Sequence, residues 1–186
     1  MSKIYVDAIE PEGASTVLTL GAVGDTVNIG GAGGTGFGSN APAFSVCTNG
    51  ITGITAATNE KIVLDREIVD SHSAFDTSTY RFTVPAGQAG VYVISAGINF
   101  LMASSSTSSN IQTLLYLNGS EHGTSDSVIT NQANITNLTV EGTWILDLAA
   151  GAEIELWGYA SGTSTQYNGN AALQKTHMSG FKLIGV

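Results

Sequence analysis

One cysteine, three prolines and six basic side chains are all that 186 residues hold of those types. The lone Cys47 has no internal partner, so the disulfide framework that staples small secreted domains is excluded. Beside Phe44 and Val46 it reads as a packed thiol. Six Lys and Arg against fifteen Asp and Glu leave a formal net charge of −9. Such a chain lacks the clustered cations that neutralise phosphates, and no nucleic-acid partner is expected. Charged residues make up only 11% of the chain, where about 25% is usual. The hydrophobic share is nevertheless 42%, enough to offset ordering entropy, so charge-driven disorder is excluded. No stretch approaches the roughly 20 apolar residues of a membrane span. Asp7, Glu10 and Glu12 break the apolar run that a secretory signal needs. The expectation is synthesis in a cytoplasm, without membrane insertion.

What fills the chain instead is Ser, Thr, Asn and 23 glycines, the composition of short strands joined by tight turns. The length fits one domain with a small appendage, at roughly 100–200 residues per domain. Residues 1–29 read as a β-rich arm: Ile4, Val6, Ile9, Leu18, Leu20, Val27 and Ile29 mark short apolar runs, with Gly24-Asp25 as a turn. So few apolar residues close no core, and the arm is expected to bury its face against another chain. Residues 30–42 form a Gly-rich linker. Gly31, Gly33 and Gly36 match G-x-G-x-x-G, but a dinucleotide loop must open a helix, and here Asn40-Ala41-Pro42 and a strand-like run follow.

From residue 43 to 186 the pattern is strand after strand. Tyr80–Val84, Val91–Phe100, Ile111–Leu117, Leu138–Leu148, Glu153–Ala160 and Met178–Val186 carry β-branched and aromatic residues with period-two stretches. Pro85-Ala86-Gly87, Asn118-Gly119, Ala150-Gly151 and Asn168-Gly169-Asn170 separate them as turns. An all-β, antiparallel two-sheet sandwich of the jelly-roll or immunoglobulin-like class follows. In Glu153–Tyr159, Ile154 and Leu156 point to one side while Glu153, Glu155, Trp157 and Tyr159 point to the other. The first side is core. The second is a partly covered outer face or a surface meeting another subunit.

Ala74-Phe75-Asp76-Thr77-Ser78-Thr79-Tyr80-Arg81-Phe82-Thr83-Val84-Pro85, followed by Gly90-Val91-Tyr92, resembles the globular head of the complement q subunits, a tumour-necrosis-factor-like jelly roll. Leu115–Gly119, Trp144–Ile154 and Met178–Ile184 fall in the same order, so the resemblance covers residues 43–186. It implies a jelly-roll knob in a threefold trimer, with Tyr92, Tyr116, Trp157, Tyr159 and Phe181 as candidates for the interface. Gly151 is read as the turn of a hairpin between two long strands. The chain departs from the family in Gly151-Ala152-Glu153, where an acid usually follows the glycine directly, and in the extra Gln88-Ala89 before Gly90. The calcium sites of some members are not carried over, because no matching acidic cluster is present. A collagen-like stalk is absent too. The amino-terminal portion, Ser2–Ile9, Leu18–Gly21 and Gly24–Ile29, resembles the start of structural proteins of tailed bacteriophages, where a short arm precedes a knob.

Catalytic signals are weak. His72, His122 and His177 have no partner at metal-ligand spacing, and no G-x-S-x-G elbow occurs. Glu153 and Glu155, with Asp147 across the expected hairpin, could flank a glycosidic bond, but acids on an outer face more often keep a strand soluble. Asn118, Asn134 and Asn137 head chance N-x-S/T matches. No enzyme, metal or cofactor is therefore expected. Recognition is expected in the polar connections Ala103–Asn110, Ser120–Asn137 and Ala160–Asn170, with Ser105, Thr107, Asn131, Thr165 and Tyr167 as candidates.

Together these readings describe a non-enzymatic virion protein of a tailed phage, made in the host cytoplasm. The resemblances imply a homotrimer whose arm is expected to anchor to other tail or capsid proteins and whose knob is expected to project outward. Two roles fit: a tail fibre or receptor-binding head that meets a host surface glycan or protein, or a decoration protein that cements the capsid. A secreted-type carbohydrate-binding ligand is the third possibility, and it needs an export route.

Overall fold

The computed structural model describes residues 40–103, 106–128, 136–170 and 172–183. The arm candidates from Ile4 to Ile29 and the loop candidates Ser105 and Asn131 lie outside them. Thirteen strands follow in order: β1 (Ala43–Cys47), β2 (Thr52–Gly53), β3 (Glu60–Lys61), β4 (Arg66–Asp70), β5 (Phe75–Asp76), β6 (Arg81–Thr83), β7 (Gly90–Met102), β8 (Asn110–Leu117), β9 (Ser120–Val128), β10 (Asn137–Leu148), β11 (Glu153–Ala160), β12 (Thr165–Tyr167) and β13 (His177–Lys182). No helix occurs among the described residues.

The strands form two antiparallel sheets. In the first, β7 is central. β10 runs beside it from Gly90 to Leu101, while β13 and β12 share its other side, at Tyr92–Gly97 and Phe100–Met102. β1 and β4 extend the sheet beyond β13, and β2 extends it beyond β12. In the second sheet β11 is central, with β8 and then β9 on one side and β6, β5 and β3 on the other.

Alternation along these strands builds the core. Ile94, Ala96, Ile98 and Phe100 of β7 face Ile111 and Leu115 of β8 and Ile154 and Leu156 of β11, all fully buried. Each Ile, Leu and Phe among them stabilises the fold by about 1.5–3 kcal/mol. One end is filled by rings: Phe44 stacks on Phe82 with centroids 4.3 Å apart, and Tyr92 lies 6.0 Å from Phe82. The Tyr92 hydroxyl donates to the Gln88 carbonyl at 2.8 Å. The two extra residues of that turn thus supply the partner a buried phenol needs.

Two expectations change. The polar run after Asn118-Gly119 is not a loop at its start. Both turn residues are left-handed, with φ of 51° and 77°, the geometry of a two-residue hairpin, and β9 pairs with β8 as its second arm. Gly151 turns the chain differently from the expected hairpin: β10 and β11 belong to different sheets, and the link crosses between them. Hydrogen bonds from Gly151 N to Val84 O and from Val84 N to Ala152 O pin that crossing to the strand exit after β6. The sheets also meet along β10. The hydroxyls of Thr113 and Ser125 donate to the carbonyls of Val140 and Glu141, and the Trp144 indole lies where side chains at Gly123 and Gly142 would otherwise stand.

Candidate functional site

The outer face of the second sheet is built on β11. Ile154, Leu156 and Ala160 turn inward, so Glu153, Glu155, Trp157 and Tyr159 turn outward as the alternation predicts. Register then sets Arg81 and Tyr116 beside Glu155, and Lys61 and Leu114 beside Trp157. The Glu155 side chain is only 4% exposed. Its Oε1 accepts from Lys61 Nζ at 2.6 Å and from Arg81 Nε at 2.8 Å, and its Oε2 accepts from Trp157 Nε1 at 2.9 Å. Arg81 Nη1 reaches Glu153 Oε1 at 2.8 Å. Burial alone would raise the Glu155 pKa, but hydrogen bonds from Lys61, Trp157 and Arg81 and the Lys61 charge outweigh it and hold the carboxylate below its ordinary range. The hydrogen bond to Glu155 is also the chief cause pushing the Arg81 guanidinium upward. Two cations are thereby matched by two carboxylates. A carboxylate so saturated anchors three strands and is poorly placed to take a proton from a substrate.

Rings continue the face beyond this cluster. Tyr116 and Trp157 stack with centroids 4.5 Å apart and planes 17° from parallel. Asn59 Nδ2 donates to Tyr116 Oη at 2.9 Å and approaches Glu121 Oε2 at 3.5 Å, and Thr124 Oγ1 donates to Glu121 Oε1 at 2.6 Å. Tyr116, Trp157 and Tyr159 are half-buried, whereas Leu114 on the same face is buried. Gln112 and Asp126 lie in register with Tyr159.

The outer face of the first sheet is chemically different. Ile145, Val93, Phe181 and Ala43 form one row across four strands, and Ile145 is 69% exposed. Beside it runs a row of Thr143, Ser95, Ser179, Ser45 and Val69. Further along come Glu141, Gly97, His177 and Cys47. The Glu141 and His177 side chains lean over Gly97, where a larger residue would have to push them aside. Cys47 is buried, and burial pushes its thiol up. Ile145 is exposed and Val93, Phe181 and Ala43 are half-buried, and a partly open apolar row of this kind is what an interface covers.

The five interface candidates therefore do not share a surface. Tyr92 is fully buried in the core, because its position on β7 alternates inward with Ile94 and Ala96. Tyr116, Trp157 and Tyr159 lie on the outside of one sheet and Phe181 on the outside of the other. Among the loop candidates Thr107 is exposed, but Thr165 and Tyr167 are buried. Pairing of β12 with the end of β7 turns both inward and leaves Gln166 exposed between them, and the Tyr167 hydroxyl accepts from Val63 N at 3.2 Å. Asp147 lies on the outer face of the first sheet, opposite Val91, so it does not flank Glu153 and Glu155. Among the described residues no three His, Cys, Asp or Glu side chains are placed to hold a metal ion. Ile145 and Val93 were missed in the sequence, although their alternation with Leu146 and Tyr92 carries the signal.

No family model matches the chain. In sequence it is 31% identical over 134 residues to uncharacterized protein YqcC of Bacillus subtilis (strain 168), an alignment covering 70% of this chain and 34% of that protein. It is 31% identical over 138 residues to phage-like element PBSX protein XkdV of the same strain, covering 69% of this chain and 20% of that protein. The chain thus spans about a third of one curated relative and a fifth of the other. In structure it is similar to the globular domain of zebrafish complement 1qA, with a TM-score of 0.55 at 17% identity over 76% of this chain and 97% of that one. It is also similar to the Eiger TNF of S. frugiperda, with a TM-score of 0.58 at 14% identity over 77% and 93%. Murine APRIL gives a TM-score of 0.54 at 9% identity over 76% and 98%. Identities this low speak for the fold, and the described domain is a jelly roll of the complement-head and tumour-necrosis-factor type.

Proposed function

From a jelly roll of that type with a relative in a phage-like element, we propose that this chain is a non-enzymatic structural protein of a tailed-phage virion. Residues 1–29 form an arm that anchors it to the particle, residues 30–42 a linker, and residues 43–186 a knob displayed outward as a receptor-binding head. The likeness to the PBSX protein carries this reading. Self-association is supported by the apolar row on the first sheet, where Ile145, Val93 and Phe181 would be covered by neighbouring copies in a homotrimer. Obligate interfaces bury about 2,000–5,000 Å², ample for such a row. Three knobs on one axis also multiply weak single contacts to a host surface.

Sedimentation is expected to give three times the 19.1 kDa chain mass, and Ile145→Asp is expected to shift the protein to monomer while leaving its near-ultraviolet circular dichroism unchanged. A wild-type monomer would overturn the trimer, and a trimer indifferent to that substitution would overturn the placing of its interface on this face. Immunogold labelling of particles locates the protein, and soluble knob is expected to compete with phage for host adsorption. Label on the head without competition would assign it to capsid decoration instead.

A further inference from the structure

We infer that the outer face of β8 and β11, centred on Tyr116, Trp157 and Tyr159, is a binding site for a neutral saccharide. This deepens the receptor-binding reading and rests on it for its biological setting.

Three observations carry the inference. Two of the three rings are fixed before any ligand arrives: Glu155 holds the Trp157 indole N–H, Asn59 holds the Tyr116 hydroxyl, and the two rings stack with centroids 4.5 Å apart, so that each covers one face of the other and turns its remaining face to Tyr159 or to a ligand. A preorganised aromatic surface loses little entropy on binding. A sugar ring has an apolar C–H face and a rim of hydroxyls, so it needs an aromatic wall with hydrogen-bonding groups at its edge. Asn59, Gln112, Glu121 and Thr124 provide those groups on the strands and loop that flank the rings.

Charge selects among ligands. The cations of this face, Lys61 and Arg81, are matched by Glu155 and Glu153, while Glu121 and Asp126 stand exposed. A uronate, sulfate or phosphate would meet those carboxylates unopposed. A second copy docking through the same face would bring Glu121 and Asp126 toward their own counterparts, which disfavours self-pairing there.

The test uses the 186-residue chain and nuclear magnetic resonance, with the two indole signals assigned through Trp144→Phe. Glucose, galactose, N-acetylglucosamine and rhamnose are titrated separately, with glucuronate as the charged control. At least one neutral sugar is expected to shift the Trp157 indole signal with millimolar affinity, and glucuronate is expected to leave it in place. Tyr159→Ala and Glu121→Ala should each weaken binding by about fivefold, roughly 1 kcal/mol, at an unchanged thermal midpoint. Four results would overturn the inference: no shift with any neutral sugar, shifts indifferent to both substitutions, equal binding of glucuronate, or shifts on dilution without sugar. Knob that competes for adsorption yet binds no sugar sinks this inference alone. Knob that binds sugar without competing sinks only the receptor-binding reading.

Discussion

Replacing Glu155 with Gln keeps the shape of the side chain and removes the charge that Lys61 and Arg81 share. Breaking a buried pair from one side typically costs about 3–5 kcal/mol, because the remaining charge is left buried and alone. Here the remaining charges are less trapped: Lys61 is 25% and Arg81 32% exposed, and Arg81 keeps Glu153. Solvent screening at such partners reduces the cost, to about 2 kcal/mol. In a domain of this size that lowers the melting temperature by about 4–8 °C. The effect carries a pH signature with a definite sign. The folded-state pKa of Glu155 lies below the ordinary 4.5. Its contribution is therefore complete above that value and lost as pH falls through the folded pKa. Urea unfolding of wild type and Glu155→Gln at fixed protein concentration should show the full gap at neutral pH, closing as pH drops below 4.5. Equal stabilities at neutral pH, or a gap that persists in acid, would refute the account of this cluster.

Gly123→Ala places a methyl group against the Trp144 indole and is expected to cost about 1–3 kcal/mol by overpacking, with a red-shifted tryptophan emission as the ring is displaced. Tyr92→Phe removes one buried hydrogen bond and should cost about 1 kcal/mol. Burial pushes the Tyr92 pKa up from 10.0 to about 12, so wild-type stability should fall as pH climbs through that window, and Tyr92→Phe should flatten the fall in chemical denaturation. Hydrogen bonds from Ser78 and Thr79 lower the Asp76 pKa from 3.8 to about 2. A carboxyl-detected resonance titration should find that midpoint, and Ser78→Ala should move it back toward 3.8.

The long strands were legible because their apolar residues alternate: β7, β8, β10 and β11 lie within one or two residues of the runs read in the sequence. β9 was hidden because Ser120–Val128 is mostly polar and shows no alternation. Only Asn118-Gly119, a turn that demands a second arm, announced it. The crossing after β10 was unreadable for a different reason, since a left-handed Gly151 serves a hairpin and a sheet-to-sheet corner equally well. The outward set on β11 was read correctly, but the depth of Glu155 depends on Lys61 and Arg81, which lie far off in the chain and are brought together by register alone. Tyr167 was misassigned because the Ser, Thr and Asn around it suggest a loop, whereas three residues paired to the end of β7 suffice to turn its ring inward.

The thirteen residues of β7 border three other strands, and this sets the order in which the molecule can come apart. Amide protons held on both flanks exchange with solvent only when everything opens, whereas β4 and β9, each paired along one edge only, can peel away at lower cost. Deuterium uptake along the chain would accordingly climb from that spine toward the rims.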